Sequence, residues 1–237
     1  MSTICRIPWT EFHPVWIHAE EVIVKKHLAY HSAKGGEPDA AFQLVNDLLS
    51  ETTVRRLQEA FQYVEPILVS VHAIENAGVN AIPEALADIL AEQLNWRTEN
   101  AIVQTNIVGH TGANGFARLA RQATFDGPVD QNDVYILVDD FVGQGGTLAN
   151  LRSHVILAGG RVVGATVLTG KPYSAHLALT AETLKALRLK HGQKLENWWQ
   201  QWFGFGFECL TESEARYLLN TPNADRVRNK IIEAIED

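Results

Sequence analysis

Two cysteines, Cys5 and Cys209, are all that the 237 residues contain. They lie far apart and no Cys-x-x-Cys pair occurs. This argues against a disulfide scaffold or a zinc site and fits a reducing, cytoplasmic setting. Positive charge is also short: 20 Lys and Arg stand against 28 Asp and Glu, a net charge of −8. An acidic chain has no general attraction to nucleic acid or to an anionic membrane, so any anion site must be built locally. No apolar run is long enough to span a bilayer, and residues 1–16 lack the basic-then-apolar order of a signal peptide. Internal repeats and low-complexity tracts are missing as well. What is present, 46% hydrophobic residues, suffices for one sizeable α/β core with elaborations.

The first 65 residues read as a helical N-terminal cap rather than the start of a parallel sheet. Helices are expected over 19–31, 39–49 and 53–63, the second with Phe42, Leu44, Val45, Leu48 and Leu49 facing inward. Lys34-Gly35-Gly36 followed by Pro38 reads as a helix stop; Tyr30, His31 and Lys34 at its end could contact a ligand, although solvation or packing is the favoured reading there. From Pro66 the pattern alternates. Strands are expected at 67–71, 101–108, 134–138 and 162–168, and helices at 82–94 and 148–158, with a short helix at 115–123 between the second and third strands. Such alternation predicts a doubly wound parallel α/β sheet over residues 66–170, with ligands bound beyond the carboxyl ends of its strands. Residues 171–237 form a helical extension: a helix over 180–189 capped by Thr180, the aromatic group Trp198 to Phe207 read as a hydrophobic lid, and two short helices separated near Pro222.

One stretch carries chemistry. Val134-Tyr135-Ile136-Leu137-Val138 is an apolar strand that ends in Asp139-Asp140, and Phe141-Val142 leads into Gly143-Gln144-Gly145-Gly146-Thr147. Two carboxylates can accept hydrogen bonds from neighbouring hydroxyls, as on a ribose. The glycines let backbone N–H groups turn toward an anion, and the following helix N-terminus adds a favourable dipole. A diol held on one side and a phosphate on the other describes a ribose 5-phosphate.

This segment resembles the phosphoribosyl diphosphate (PRPP) motif of type I phosphoribosyltransferases, with Gly143 and Gln144 standing where that motif has two threonines. The resemblance implies a Mg²⁺-dependent transfer between PRPP and a nitrogen heterocycle, purine-like, at the anomeric carbon. Asp139 and Asp140 would hold the ribose hydroxyls directly or through the metal, and residues 143–147 would bind the 5-phosphate. It also implies a pyrophosphate loop after the first core strand. Here residues 72–80 contain no Arg or Lys, which leaves His72, Asn76 and Asn80 as side chains and Glu75 as a repulsive one. A flexible loop would span 108–130, with Arg118 and Arg121 as partners of pyrophosphate and His110 beside them. Lys171, in Leu168-Thr169-Gly170-Lys171-Pro172, is similar to the lysine with which 6-oxopurine phosphoribosyltransferases read the purine oxygen, and Phe203-Gly204-Phe205-Gly206-Phe207-Glu208 to a later segment of that group. The implied partners are a phosphoribosyl substrate and a heterocyclic base, in an assembly that is often a homodimer.

Two other classes stay open at this stage. A regulator of the same fold would sense PRPP or a nucleotide without turnover, a reading favoured by the missing cation in 72–80. A hydrolase acting on a phosphoribosyl compound would use water as the nucleophile.

Overall fold

The computed structural model describes residues 5–72, 74, 75, 78–108 and 114–236. Its central sheet has five strands: β1 (Trp16–Ala19), β2 (Ile67–Ser70), β3 (Arg97–Glu99), β4 (Val134–Val142) and β5 (Arg161–Gly170). All pairings are parallel, in the order β1-β5-β4-β2-β3. The longest strands sit in the middle, where both faces are covered, and so read as continuous apolar runs.

Successive side chains on a strand point to opposite faces, and the packing follows this. Leu68, Ile136, Val138 and Leu168 face one layer, with Leu44, Leu57, Leu86 and Leu90. These come from the helices α1 (Glu21–Lys26), α2 (Tyr30–Lys34), α3 (Pro38–Leu48), α4 (Glu51–Ala60) and α5 (Ile82–Leu94) and their neighbours. Ile67, Val69, Tyr135, Leu137, Ala165 and Val167 face the other layer. There, beyond the short α6 (Gly115–Ala120), α7 (Gly146–Leu157) contributes Leu148, Leu151 and Val155. The doubly wound α/β sandwich expected from the alternation is the fold observed.

Both edges of the sheet differ from the sequence reading. β1 lies within the stretch read as all-helical, and it pairs with β5 from Trp16↔Thr166 to Ala19↔Thr169. The segment 101–108 does not enter the sheet. Val103–Gln104 pairs antiparallel with Phe125–Asp126 in a separate ribbon, and the sheet takes Arg97–Glu99 instead. Both edge strands are short: β1 is apolar (Trp16-Ile17-His18-Ala19) but only four residues long, and β3 is three polar residues, so neither shows a strand period. The helix expected over 19–31 divides into α1 and α2, leaving Leu28 98% exposed, and Phe42 faces outward at 38% while Leu44 and Val45 are fully buried.

The C-terminal segment builds its own core. Helices α8 (Ala181–Phe203), α9 (Glu212–Leu219) and α10 (Ala224–Glu236) enclose Trp199, Phe203, Phe205 and Phe207, together with Leu119 of α6. Beyond the expected end at Leu189, α8 continues across a kink at Gly192 (φ 74°, ψ 167°). Trp199 and the three phenylalanines are packed as a hydrophobic unit, as expected, whereas Trp202 is 41% exposed and stacks on half-buried Trp198. Phe203, Phe205 and Phe207 are buried there, and Glu208 is ion-paired with Arg188 at 2.8 Å.

Candidate functional site

β4 runs two residues past the acid pair, to Val142, so Asp139 and Asp140 are held in regular strand geometry at its carboxyl end. Both are nearly buried, and Asp139 Oδ1 accepts a hydrogen bond from the Asp140 amide at 2.8 Å. Burial, and then the adjacent negative charge of Asp140, push the Asp139 carboxyl well above the ordinary carboxylate range. Asp140 is paired with the Lys34 ammonium at 2.8 Å.

The glycine loop follows directly. Gly145 adopts φ 80°, ψ 7°, and a Cβ there would stand 2.3 Å from Leu177 Cδ2, so glycine is required on two counts. No side chain caps the helix that begins at Gly146, which leaves its first amides open toward the cavity. The Arg118 guanidinium lies against the loop, since a Cβ at Gly143 would be 2.7 Å from its Nη1. The loop is anchored from behind. Thr211 Oγ1 donates to the Gln144 carbonyl at 2.5 Å, and Arg6 Nη2 donates to the Gly146 carbonyl at 3.3 Å.

Arg6 is the hub of this support. Its guanidinium bonds Glu214 at 2.6 and 3.0 Å, Asn150 at 2.6 Å and Gln122 at 2.7 Å, all buried. Glu214 also closes the capping box of α9 with Thr211. The donors of the guanidinium and the acceptors of the carboxylate are thus satisfied, which is the condition under which a buried ion pair is tolerated.

In front of the loop and the acid pair opens a cavity of about 800 Å³. Of the residues expected at a site, Asp139, Asp140, Gly143, Gln144, Gly145, Gly146, Thr147, Arg118, Arg121 and Lys171 all line it. Asn80 lines it too, with its Oδ1 accepting from the Ile82 amide at 3.2 Å. His72 is not in the wall: its Nε2 is 2.8 Å from Ser70 Oγ, and its Nδ1 faces Glu84 at 4.0 Å. Asn76 and His110 lie outside the described residues.

Tyr30 and Lys34 of α2, possible ligand contacts from the sequence, are in the wall. Wall residues without a sequence signal are Glu21 and Lys25 of α1 and Ser213, Arg216 and Tyr217 of α9. Glu21 bonds Lys25 at 2.5 Å and also pairs with Lys171, so a carboxylate of the N-terminal layer fixes the lysine at the end of β5. These bonds hold the Glu21 carboxyl below the usual carboxylate range, Lys171 first, and raise Lys171 in turn. Lys25, Lys34, Arg118, Arg121, Lys171 and Arg216 give the wall six cationic side chains against the carboxylates of Glu21, Asp139, Asp140 and Glu214. A chain of net charge −8 has thus gathered positive charge at one concavity. The chemistry on offer is an anion cradle beside a pair of hydroxyl acceptors.

No family model matches the chain. It is 37% identical over 229 residues to Protein TraN of Escherichia coli, covering 97% of this chain and 51% of that protein. An uncharacterized protein of Haemophilus influenzae is 38% identical over 130 residues, 55% of this chain and 29% of that one. The chain therefore spans about half the length, or less, of the curated relatives it matches. Among solved structures it is similar to an adenine phosphoribosyltransferase, with 16% identity, TM-score 0.38, and coverage of 56% of this chain and 71% of the other. A purine phosphoribosyltransferase from Pyrococcus horikoshii Ot3 matches at 14% identity and TM-score 0.33, over 56% of this chain and 82% of the other. A UMP synthase of Leishmania donovani matches at 14% and 0.36, over 77% of this chain and 33% of the other. Likenesses at such TM-scores carry no weight for what the chain does, and the functional reading stands on the site itself.

Proposed function

We propose that this chain binds PRPP and transfers its phosphoribosyl group to a nitrogen heterocycle. The observation that carries the reading is the coincidence, in one cationic cavity, of the Asp139–Asp140 pair and the uncapped glycine loop that opens α7. The 5-phosphate would sit on the amides of 143–147, with Arg118 adding charge. The carboxylates would accept hydrogen bonds from the ribose hydroxyls and favour positive charge as it develops on the ring. The bond from the anomeric carbon to pyrophosphate breaks and the electron pair leaves with pyrophosphate. A ring nitrogen of the heterocycle bonds to that carbon, and its proton passes to Asp140. Arg118 and Arg121 would neutralise the leaving group. Lys171, Tyr173 and Arg216 line the same cavity and offer polar and stacking contacts to a base.

Mg²⁺ belongs to the chemistry implied by the motif, where it would supply positive charge to the departing pyrophosphate. Asp139 and Asp140 are the side chains that would hold it, since Mg²⁺ takes one or two protein carboxylates and substrate oxygens for the rest; Asp140 also pairs with Lys34 at 2.8 Å. No step above runs through the metal.

The reading is tested by isothermal titration of the chain with PRPP, repeated on the double variant Asp139→Asn/Asp140→Asn. Binding to the parent and loss in the variant support it. A parent that does not bind PRPP overturns it. A sensor that binds without turnover is the second reading, favoured by the absence of Arg and Lys from residues 72–80. Pyrophosphate release during a screen of bases separates the two.

A further inference from the structure

Arg6 belongs to no helix or strand, yet it is buried. It does not line the cavity, but its partners Glu214, Asn150, Gln122 and Gly146 do. Gln122 is itself tied in on every side. Its Oε1 also accepts from Asn150 Nδ2 at 2.9 Å, its Nε2 donates to the Leu119 carbonyl at 2.7 Å, and its own carbonyl accepts from Asn106 Nδ2 at 2.8 Å. One guanidinium thus joins the start of α7, the segment that carries Arg121, and α9. The residues after Arg6 are fastened separately. The Ile7 amide donates to Ser153 Oγ at 3.1 Å, and Arg152 donates to the carbonyls of Ile7 and Pro8 at 3.2 and 3.4 Å. Trp9 Nε1 donates to the Leu210 carbonyl at 2.7 Å, and the Arg152 guanidinium lies over the Trp9 ring at 4.6 Å. This strap fixes the backbone from which Arg6 reaches inward.

Resting on the phosphoribosyl reading above, we infer that Arg6 is a positioning residue for the 5-phosphate of PRPP: it aims the amides of the glycine loop and ties the Arg121 segment to them, without touching the ligand. The lever is the planar trans peptide, in which the N–H points opposite to the C=O. Arg6 Nη2 holds the Gly146 carbonyl, so it orients the Thr147 amide on the far side of the same plane. Thr211 Oγ1 holds the Gln144 carbonyl and orients the Gly145 amide in the same way. Only a guanidinium can serve all of these partners at once. Its five donors lie in a rigid fork, whereas an ammonium has three donors on one atom. A lysine at position 6 keeps the ion pair with Glu214 but cannot also reach Asn150, Gln122 and the Gly146 carbonyl.

The test is titration of the parent, Arg6→Lys and Leu57→Ala with PRPP, with denaturant unfolding of each and amide hydrogen exchange on the free proteins. Leu57 is fully buried in α4, in the layer across the sheet from α7, and its truncation measures what lost stability alone does to binding. Arg6→Lys is expected to bind PRPP about ten- to hundred-fold more weakly, the worth of one hydrogen bond to a charged group. Leu57→Ala should stay within about two-fold of the parent. Exchange in residues 143–147 and 115–122 should quicken together in Arg6→Lys. Parent affinity in Arg6→Lys, a loss matched by Leu57→Ala, or unchanged exchange in 143–147 overturns the inference while the phosphoribosyl reading stands. A parent that does not bind PRPP overturns both. If Arg6→Lys does not fold, Trp9→Leu decides. It loosens the strap from outside the cavity wall and should weaken PRPP binding about three- to ten-fold, on the scale of one net hydrogen bond; parent affinity there overturns the inference.

Discussion

Asp139 is held where its charge is disfavoured, beside Asp140 and largely out of water, with its carboxyl pushed well above the ordinary range. Asn keeps the acceptor for the Asp140 amide and removes the charge. Asp139→Asn should therefore raise the unfolding free energy by on the order of 1 kcal/mol while weakening PRPP binding, a trade of stability against function. Chemical denaturation and titration on one preparation check both halves. Buried His18, whose Nε2 lies 3.1 Å from Thr166 Oγ1, gives a pH prediction. Burial lowers its pKa from 6.5 to about 4. The unfolded chain therefore takes up the proton first as pH falls, so stability present above pH 6.5 is lost between there and about 4. The loss is roughly 3 kcal/mol. Unfolding at pH 7 and pH 4.5, with His18→Gln as the comparison, should show the variant losing less over that interval. Arg6→Ala leaves Glu214 buried and unpaired and should cost about 3–5 kcal/mol, measured by denaturant titration.

At the scale of elements, the interior of the sheet and the site loop were legible in the sequence while the edges were not. β4 announces itself because both its faces are buried, and the acids and glycines follow it within a few residues of chain. The bounds of α5, and the division of the tail into two helices near Pro222, were equally plain from apolar spacing and flanking breakers. β1 was missed because four residues are too few to show a period of two against a helical background, and β3 because its three residues are polar. Lys34 was named only as a possible ligand contact, and Arg6 and Arg216 were missed as site residues, for a different reason. Each reaches the cavity or its support through packing between remote segments, and no local pattern encodes that. The Thr211-x-x-Glu214 box was the one readable hint that Glu214 would be held inward. Thr211 also holds the Gln144 carbonyl. Thr211→Ala should cost about 1–2 kcal/mol as a lost cap and speed amide hydrogen exchange in residues 143–147. Unchanged exchange there would disconnect α9 from the loop.

For the molecule as a whole, positive charge is concentrated at one cavity of a chain that is otherwise acidic. Three layers meet around that cavity: the helices before β2, the sheet with its glycine loop, and the C-terminal unit. Arg121→Ala is the discriminating change for the segment between the sheet and that unit. It should lower PRPP affinity or rate about ten-fold or more, the range for a charge-assisted contact. If titration and turnover are both untouched, 108–130 does not serve as the closing loop.

The ion pair of Arg6 with Glu214 joins residues 208 positions apart in the chain. At synthesis rates of about 5–20 residues per second, the arginine is made roughly 10–40 s before its carboxylate exists. Through that interval the glycine loop has no floor, because Thr211 and Glu214 are still to come. The nascent chain can form its sheet but cannot complete the anion cradle until α9 has emerged. On the proposed reading, ligand-binding competence is a late event in the life of each new molecule, timed by the ribosome rather than by the collapse of the core.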